Sequence, residues 1–377
     1  MDKTAYKIDS RNKQWDLMRA IAIIFVVWGH NYQPPFIFFP AFYFHISLFF
    51  FISGYFFRPR IAISDKVKFF YRKTVNQLLP YFVFNLFFGI LTLWLSSMKI
   101  YLGLTLTFET MFISPFGRGD QFALYLPAWF LLNLYFISIV SCLIYQKNNK
   151  ANIGIVTIFS ILMIFLLNRG NSSNMSMWEI FLIRSVFGFC FVGFGYLFHL
   201  VESRIQKFII NPVTILVLYL IIDVLAKNFG IISYSILFGN VGNSLVIVPI
   251  ITSLCIIFIV YSFAFYATKV LQQNSFIYEI GQYSYSIMIF HLSFFLMFNL
   301  LLFKLSLIPY TSLSDVYFRY NVEKIWFLYQ LPAIVLPVLM AKTYNAAKQK
   351  SLALTKVLWS EHWKQDTARR DHGEIIL

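Results

Sequence analysis

Residues 280–303 read IGQYSYSIMIFHLSFFLMFNLLLF, with no Asp, Glu, Lys or Arg among them. As a helix rising about 1.5 Å per residue, such a run crosses the roughly 30 Å of hydrocarbon in a bilayer, for which about 20 mostly apolar residues suffice. The same reading applied outward along the chain gives nine more spans, at roughly 16–33, 41–57, 76–97, 122–145, 152–168, 178–200, 208–225, 244–266 and 325–341. Composition agrees. Of 377 residues, 59% are hydrophobic and 12% charged, where an average soluble domain is about 45–50% apolar and about 25% charged. A soluble enzyme and a disordered chain are both excluded. The expected fold is an all-α polytopic membrane protein of about ten transmembrane helices, with residues 1–341 as the membrane domain and 342–377 as a polar tail.

The formal net charge of +15 would suggest nucleic acid on a soluble protein. Here Lys and Arg fall in the short segments between apolar runs, where they report topology, and no nucleic-acid partner is expected. With the N-terminus inside, ten spans place 22 of the 31 basic residues in the tails and cytoplasmic loops and seven in outer loops. That bias follows the positive-inside rule and predicts both termini in the cytoplasm. The first apolar run follows Lys3, Lys7, Arg11 and Lys13 without a small-residue cleavage motif, and reads as a retained span. Cys142, Cys190 and Cys255 lie inside apolar stretches with no paired spacing, so neither a disulfide framework nor a zinc site is expected.

Ionisable residues inside spans are costly, and those that persist point to function. In WDLMRAIAIIFVVWGH (15–30), Arg19 and His30 are eleven residues apart, which on a helix puts both on one face about 16.5 Å from each other. Asp16, three residues before Arg19, is placed to neutralise it. His45 opens the second span, and His291 lies about 18 Å into the ninth, so three histidines share a similar depth in three helices. Three His could ligate zinc, but nothing else in the sequence supports a metal. Ser53-Gly54 ends the second span with small residues that allow close helix approach. The segment RPRIAISDKVKFFYRK (58–73) carries six basic residues and one acid; composition leaves open whether it meets anionic lipid or a polyanionic ligand. Glu179 with Arg184, and Asp223, read as structural. Trp129, in PAWFLLNLY, reads as an interfacial aromatic.

Taken together, these pieces resemble acyltransferase family 3, integral-membrane enzymes that move acyl groups, often acetyl, from coenzyme A onto carbohydrates. The Arg19-to-His30 spacing is similar to the family's signature. FHISLFFFISGYFF (44–57) resembles its Phe-rich helix ending in Ser-Gly-aromatic, LLPY (78–81) follows a basic stretch, and PAWFLLNLYF and YSYSIMIFH resemble later segments. One departure stands out. Members often carry a second arginine shortly before the Pro-Tyr, where this chain has Arg72-Lys73 and then Asn76-Gln77, and Lys lacks the bidentate fork that suits phosphate.

The resemblance implies a bacterial inner-membrane protein with acyl-coenzyme A, acetyl-coenzyme A by analogy, as co-substrate, no permanently bound cofactor, and a carbohydrate or glycan acceptor. His30 is expected as general base, with Arg19, Asp16 and His291 in the catalytic group. His45, Ser53, Gly54 and Trp129 are expected at the substrate, and Lys68, Arg72 and Lys73 at the donor's phosphates. Two other classes fit the composition. A transporter of polysaccharide or lipid-linked sugar would be expected to show broken-helix pairs or repeat symmetry, which the sequence lacks. A non-catalytic subunit of a glycan-assembly complex would fit the missing arginine.

Overall fold

The computed structural model describes residues 12–31, 39–117, 121–145, 149–168, 175–229, 236–241 and 245–371, with side chains to Ser351. Its long elements are all helices. They run α1 (Lys13–His30), α2 (His45–Tyr55), α3 (Ile63–Lys73), α4 (Leu79–Ser97), the short α5 (Phe108–Phe112), α6 (Trp129–Ile144), α7 (Lys150–Leu167) and α8 (Met177–Ile209). Then come α9 (Pro212–Phe229), α10 (Ile247–Val270), α11 (Phe276–Gln282), α12 (Ser284–Lys304) and α13 (Val322–Asp371), which departs from helical geometry at Ile325.

Among the described residues, eight helical stretches are long and apolar enough to cross a bilayer. Their surfaces say the same. Ile155, Phe159 and Leu166 on α7, with Val213, Leu216 and Val224 on α9, stand more than half exposed. Such wide apolar faces are stable only against hydrocarbon. The protein is therefore an integral, multi-pass membrane protein with an all-helical fold.

Several boundaries differ from the sequence reading, each for a physical reason. The expected second span is a 3₁₀ turn (Ala41–Tyr43) followed by an 11-residue helix, about 16.5 Å long and too short to cross hydrocarbon alone. It can be short because it is buried in protein. A Cβ on Gly54 would lie 2.0 Å from the Val192 carbonyl oxygen, and one on Gly195 would lie 2.0 Å from that of Phe51, so α2 and α8 touch backbone to backbone. The expected loop 58–75 is mostly helix. α3 starts at Ile63 and joins α4 through a π-helical turn, Thr74–Leu78, giving one 35-residue stretch. Gln77 Nε2 donates to the Leu131 carbonyl (2.9 Å) and Thr74 Oγ1 meets Tyr135 Oη (2.9 Å), which tie that turn to α6. The expected ninth span breaks at Tyr283 between α11 and α12. The polar tail continues α13 as helix to Asp371.

Glu179 closes a capping box with Ser176 at the start of α8, while Arg184, fully buried, donates Nε to the Leu237 carbonyl (2.9 Å) and lies over the Trp129 ring (5.2 Å). Asp223 pairs with Lys227 at 2.6 Å on an exposed face. The three cysteines are free and buried. Lys3, Lys7, Arg11, Arg118, Lys147 and Arg169, all counted in the charge bias, lie outside the described residues.

Candidate functional site

α1 ends at His30, α2 begins at His45, and α12 carries His291 about two turns beyond its start. Packing brings the three together. The His30 and His291 rings are 5.1 Å apart, edge to face, and Phe42 bridges His30 (6.5 Å) to His45 (5.6 Å).

Each ring uses Nδ1 in the same way. His30 Nδ1 meets the Val26 carbonyl (2.7 Å), His291 Nδ1 meets those of Ile287 (2.9 Å) and Met288 (3.0 Å), and His45 Nδ1 meets that of Ala41. A carbonyl oxygen only accepts, so the ring proton of the neutral form sits on Nδ1 and Nε2 keeps its lone pair. The helix turn itself selects the tautomer. Among the described residues no three His, Cys, Asp or Glu side chains form a metal-holding group.

His30 and His45 line a cavity of about 360 Å³, walled by Phe42, Phe49, Trp129, Leu237, Met288 and Tyr317 among others. The expected substrate residue Trp129 is thus placed beside the histidines. Tyr317 stacks on the His30 ring (6.2 Å between centroids), and Arg319, two residues on, donates Nη2 to the His30 carbonyl at 2.9 Å. Arg319 also donates Nη1 to the carbonyls of Val316 and Phe318 (2.7 Å each) and lies 4.1 Å over the Phe295 ring. Burial pushes its guanidinium down to about 10, so it remains protonated at neutral pH. Neither residue was singled out from the sequence, because a lone Tyr or Arg in a connecting segment has no pattern to mark it.

A second cavity, of about 310 Å³, is lined by Arg19, Ser53, Arg58, Arg60, Phe69 and Lys73, with Phe49 and others. Its character is cationic. Arg19 is held by Asp16, which is buried, at 2.8 Å, and lies over the Phe56 ring (5.1 Å); Gln282 Nε2 reaches the other Asp16 oxygen at 3.4 Å. Arg60 stacks on Phe69 at 4.0 Å and donates to the Arg58 carbonyl (2.8 Å); Lys73 Nζ donates to Gln77 Oε1 (3.2 Å). Ser53 Oγ donates to the Phe49 carbonyl (2.8 Å). Of the residues expected at donor phosphates, Lys73 lines this cavity, whereas Lys68 and Arg72 lie exposed on α3 outside it. Gly54 lines neither cavity and instead packs against α8. Arg58 and Arg60 were legible only as part of a basic run.

Phe49, on the second turn of α2, belongs to both walls. Arg19 and His30, on one helix, therefore open into adjoining chambers with one aromatic side chain between them. The first chamber offers bare imidazole nitrogens in an apolar, aromatic surround. The second offers fixed guanidinium and ammonium groups, suited to phosphate oxygens.

A family model described as an acyltransferase domain matches residues 12–341. No curated protein and no solved structure matches the chain.

Proposed function

The chain belongs to acyltransferase family 3, and we propose that it transfers an acyl group, acetyl by family analogy, from acyl-coenzyme A to a carbohydrate hydroxyl. The observation that carries this reading is the shared Phe49 wall between a cationic chamber and a histidine chamber. The donor's phosphates lodge on Arg58, Arg60 and Lys73, with Arg19 fixed by Asp16 at the inner edge. Arginine's planar fork suits phosphate, and Arg58 and Arg60 fill the role left by the missing arginine before Leu78. The thioester passes Phe49 toward His30.

On that geometry His30 Nε2 takes the proton of an acceptor hydroxyl as its oxygen attacks the thioester carbonyl. The C–O bond forms, the C–S bond breaks, and the departing thiolate collects the proton, leaving an ester and free coenzyme A. His291 and His45 polarise the carbonyl or hold the acceptor, and Trp129 and Tyr317 offer faces for a sugar ring. In this scheme the cationic chamber faces the cytoplasm, in line with the positive-inside bias, and the histidines face the outer side of a bacterial inner membrane, where the acceptor is an extracytoplasmic glycan.

The test is ester formation by the purified chain in proteoliposomes, with labelled acetyl-coenzyme A and a panel of glycan acceptors. His30→Ala should lower turnover about 10²–10⁴-fold, the usual worth of a positioned general base. A His30→Ala protein that turns over normally removes the mechanism, and a parent chain that transfers from no acyl-coenzyme A removes the donor.

A further inference from the structure

The basic stretch between α2 and α4 is divided by its helix into faces with different surroundings. On α3, residues three and four apart share a side. Phe69 and Lys73 turn toward the cationic chamber. Ile63, Val67, Phe70 and Tyr71 form a second side, each more than half exposed. Lys68 and Arg72, also exposed, lie on a third, with Asp65 as its single acid.

The exposed apolar side is no isolated patch. It continues through Val75 in the π turn into Leu79, Val83 and Ile90 of α4, all exposed, which is the stripe α4 presents to lipid. The joined stretch of 35 residues is about 52 Å long, whereas hydrocarbon is about 30 Å thick and the whole bilayer about 40–45 Å. α3 thus extends the lipid-facing stripe out of the hydrocarbon and into the headgroup region. An amphipathic helix at that depth, with cations flanking its apolar side, has the composition that favours anionic lipid.

We propose that the outer side of α3, with Lys68 and Arg72 over Ile63, Val67 and Phe70, is a binding surface for anionic phospholipid headgroups. Lys73, with Arg58 and Arg60, faces the chamber, and Lys68 with Arg72 faces the bilayer. Of the Arg72-Lys73 pair, Lys73 lines the chamber and Arg72 stands exposed outside it. The inference does not depend on which donor or acceptor the chamber takes.

The experiment reads lipid contact directly. Ser64 lies exposed on α3, and the three native cysteines are buried, so a bimane at Ser64→Cys labels this helix selectively. The full chain is reconstituted in phosphatidylcholine bilayers containing a small fraction of nitroxide-labelled phosphatidylglycerol or nitroxide-labelled phosphatidylcholine. Quenching by the anionic lipid should exceed that by the zwitterionic lipid severalfold at low salt. Lys68→Gln with Arg72→Gln should bring that preference close to parity, each cation near the surface being worth up to about fivefold, while Arg60→Gln should leave it intact. Equal quenching by the two lipids in the parent chain, or a preference unmoved by the double substitution, overturns the proposal. Absence of quenching by either lipid overturns it as well, because α3 would then lie off the bilayer.

Discussion

Arg319 Nη2 donates to the main-chain carbonyl of His30 at 2.9 Å, across 289 residues of sequence. His30 is the last residue of α1, where carbonyls lack helical partners and a cation is favoured. The guanidinium thus fixes the end of the helix that presents the imidazole, and Tyr317 from the same segment covers its ring.

Arg319→Ala should therefore act through His30. Turnover is expected to fall about 10²-fold, the cost of misplacing a reacting group by about an ångström, with little change in the donor's KM. Arg319→Lys should recover part of the loss, and added guanidinium should partly rescue the alanine variant. Steady-state kinetics in proteoliposomes, beside a thermal unfolding curve, separate this from simple destabilisation.

At the other chamber, Arg60→Ala should raise the donor's KM about tenfold and leave acceptor KM unaltered. The magnitude is that of one charge-assisted hydrogen bond, about 1.5–3 kcal/mol. Titration of coenzyme A against the detergent-solubilised protein measures it without turnover.

Phe49→Trp should narrow the passage between the chambers. Coenzyme A should still bind, because its phosphates stay on Arg58, Arg60 and Lys73, but transfer should slow by at least tenfold. Unimpaired transfer in this variant would mean that the acyl group takes another route to His30.

Gly54→Ala tests the packing of α2. Its Cβ would lie 2.0 Å from the Val192 carbonyl oxygen, a backbone atom that cannot swing aside. Overpacking of this kind costs about 1–3 kcal/mol, so the unfolding midpoint should drop. A midpoint matching the parent would show that α2 and α8 are not in such close approach.

Sequence alone brought His30, His45 and His291 to a common depth because helical rise is nearly invariant, and three polar residues in apolar runs are conspicuous. It also read Ser53-Gly54 as a place of close approach, which Gly54 and Val192 bear out. Two things were out of reach. α2 counts as an ordinary apolar run until its neighbours are known, because burial in protein and burial in lipid select the same side chains. Tyr317 and Arg319 meet His30 only through the packing of α12 and α13, a relationship with no local periodicity. α3 lies between these cases. Ile63, Val67, Phe70 and Tyr71 fall at helical spacing, and that signal was hidden under the stronger one of six basic residues.

The brevity of α2 has an electrical meaning. His45 lines one chamber and Ser53 the other, so about 12 Å of helix separates them, well under half of a hydrocarbon core of about 30 Å. Were both chambers open to water, a membrane potential would drop chiefly across that thin septum at Phe49. Moving a full charge through it would involve about 2.3 kcal/mol per 100 mV. A phosphate passing that point would be subject to the voltage, but an acyl group is neutral. In the proposed reaction only the uncharged end of the donor crosses Phe49, so the transfer step itself would be insensitive to the potential across the membrane.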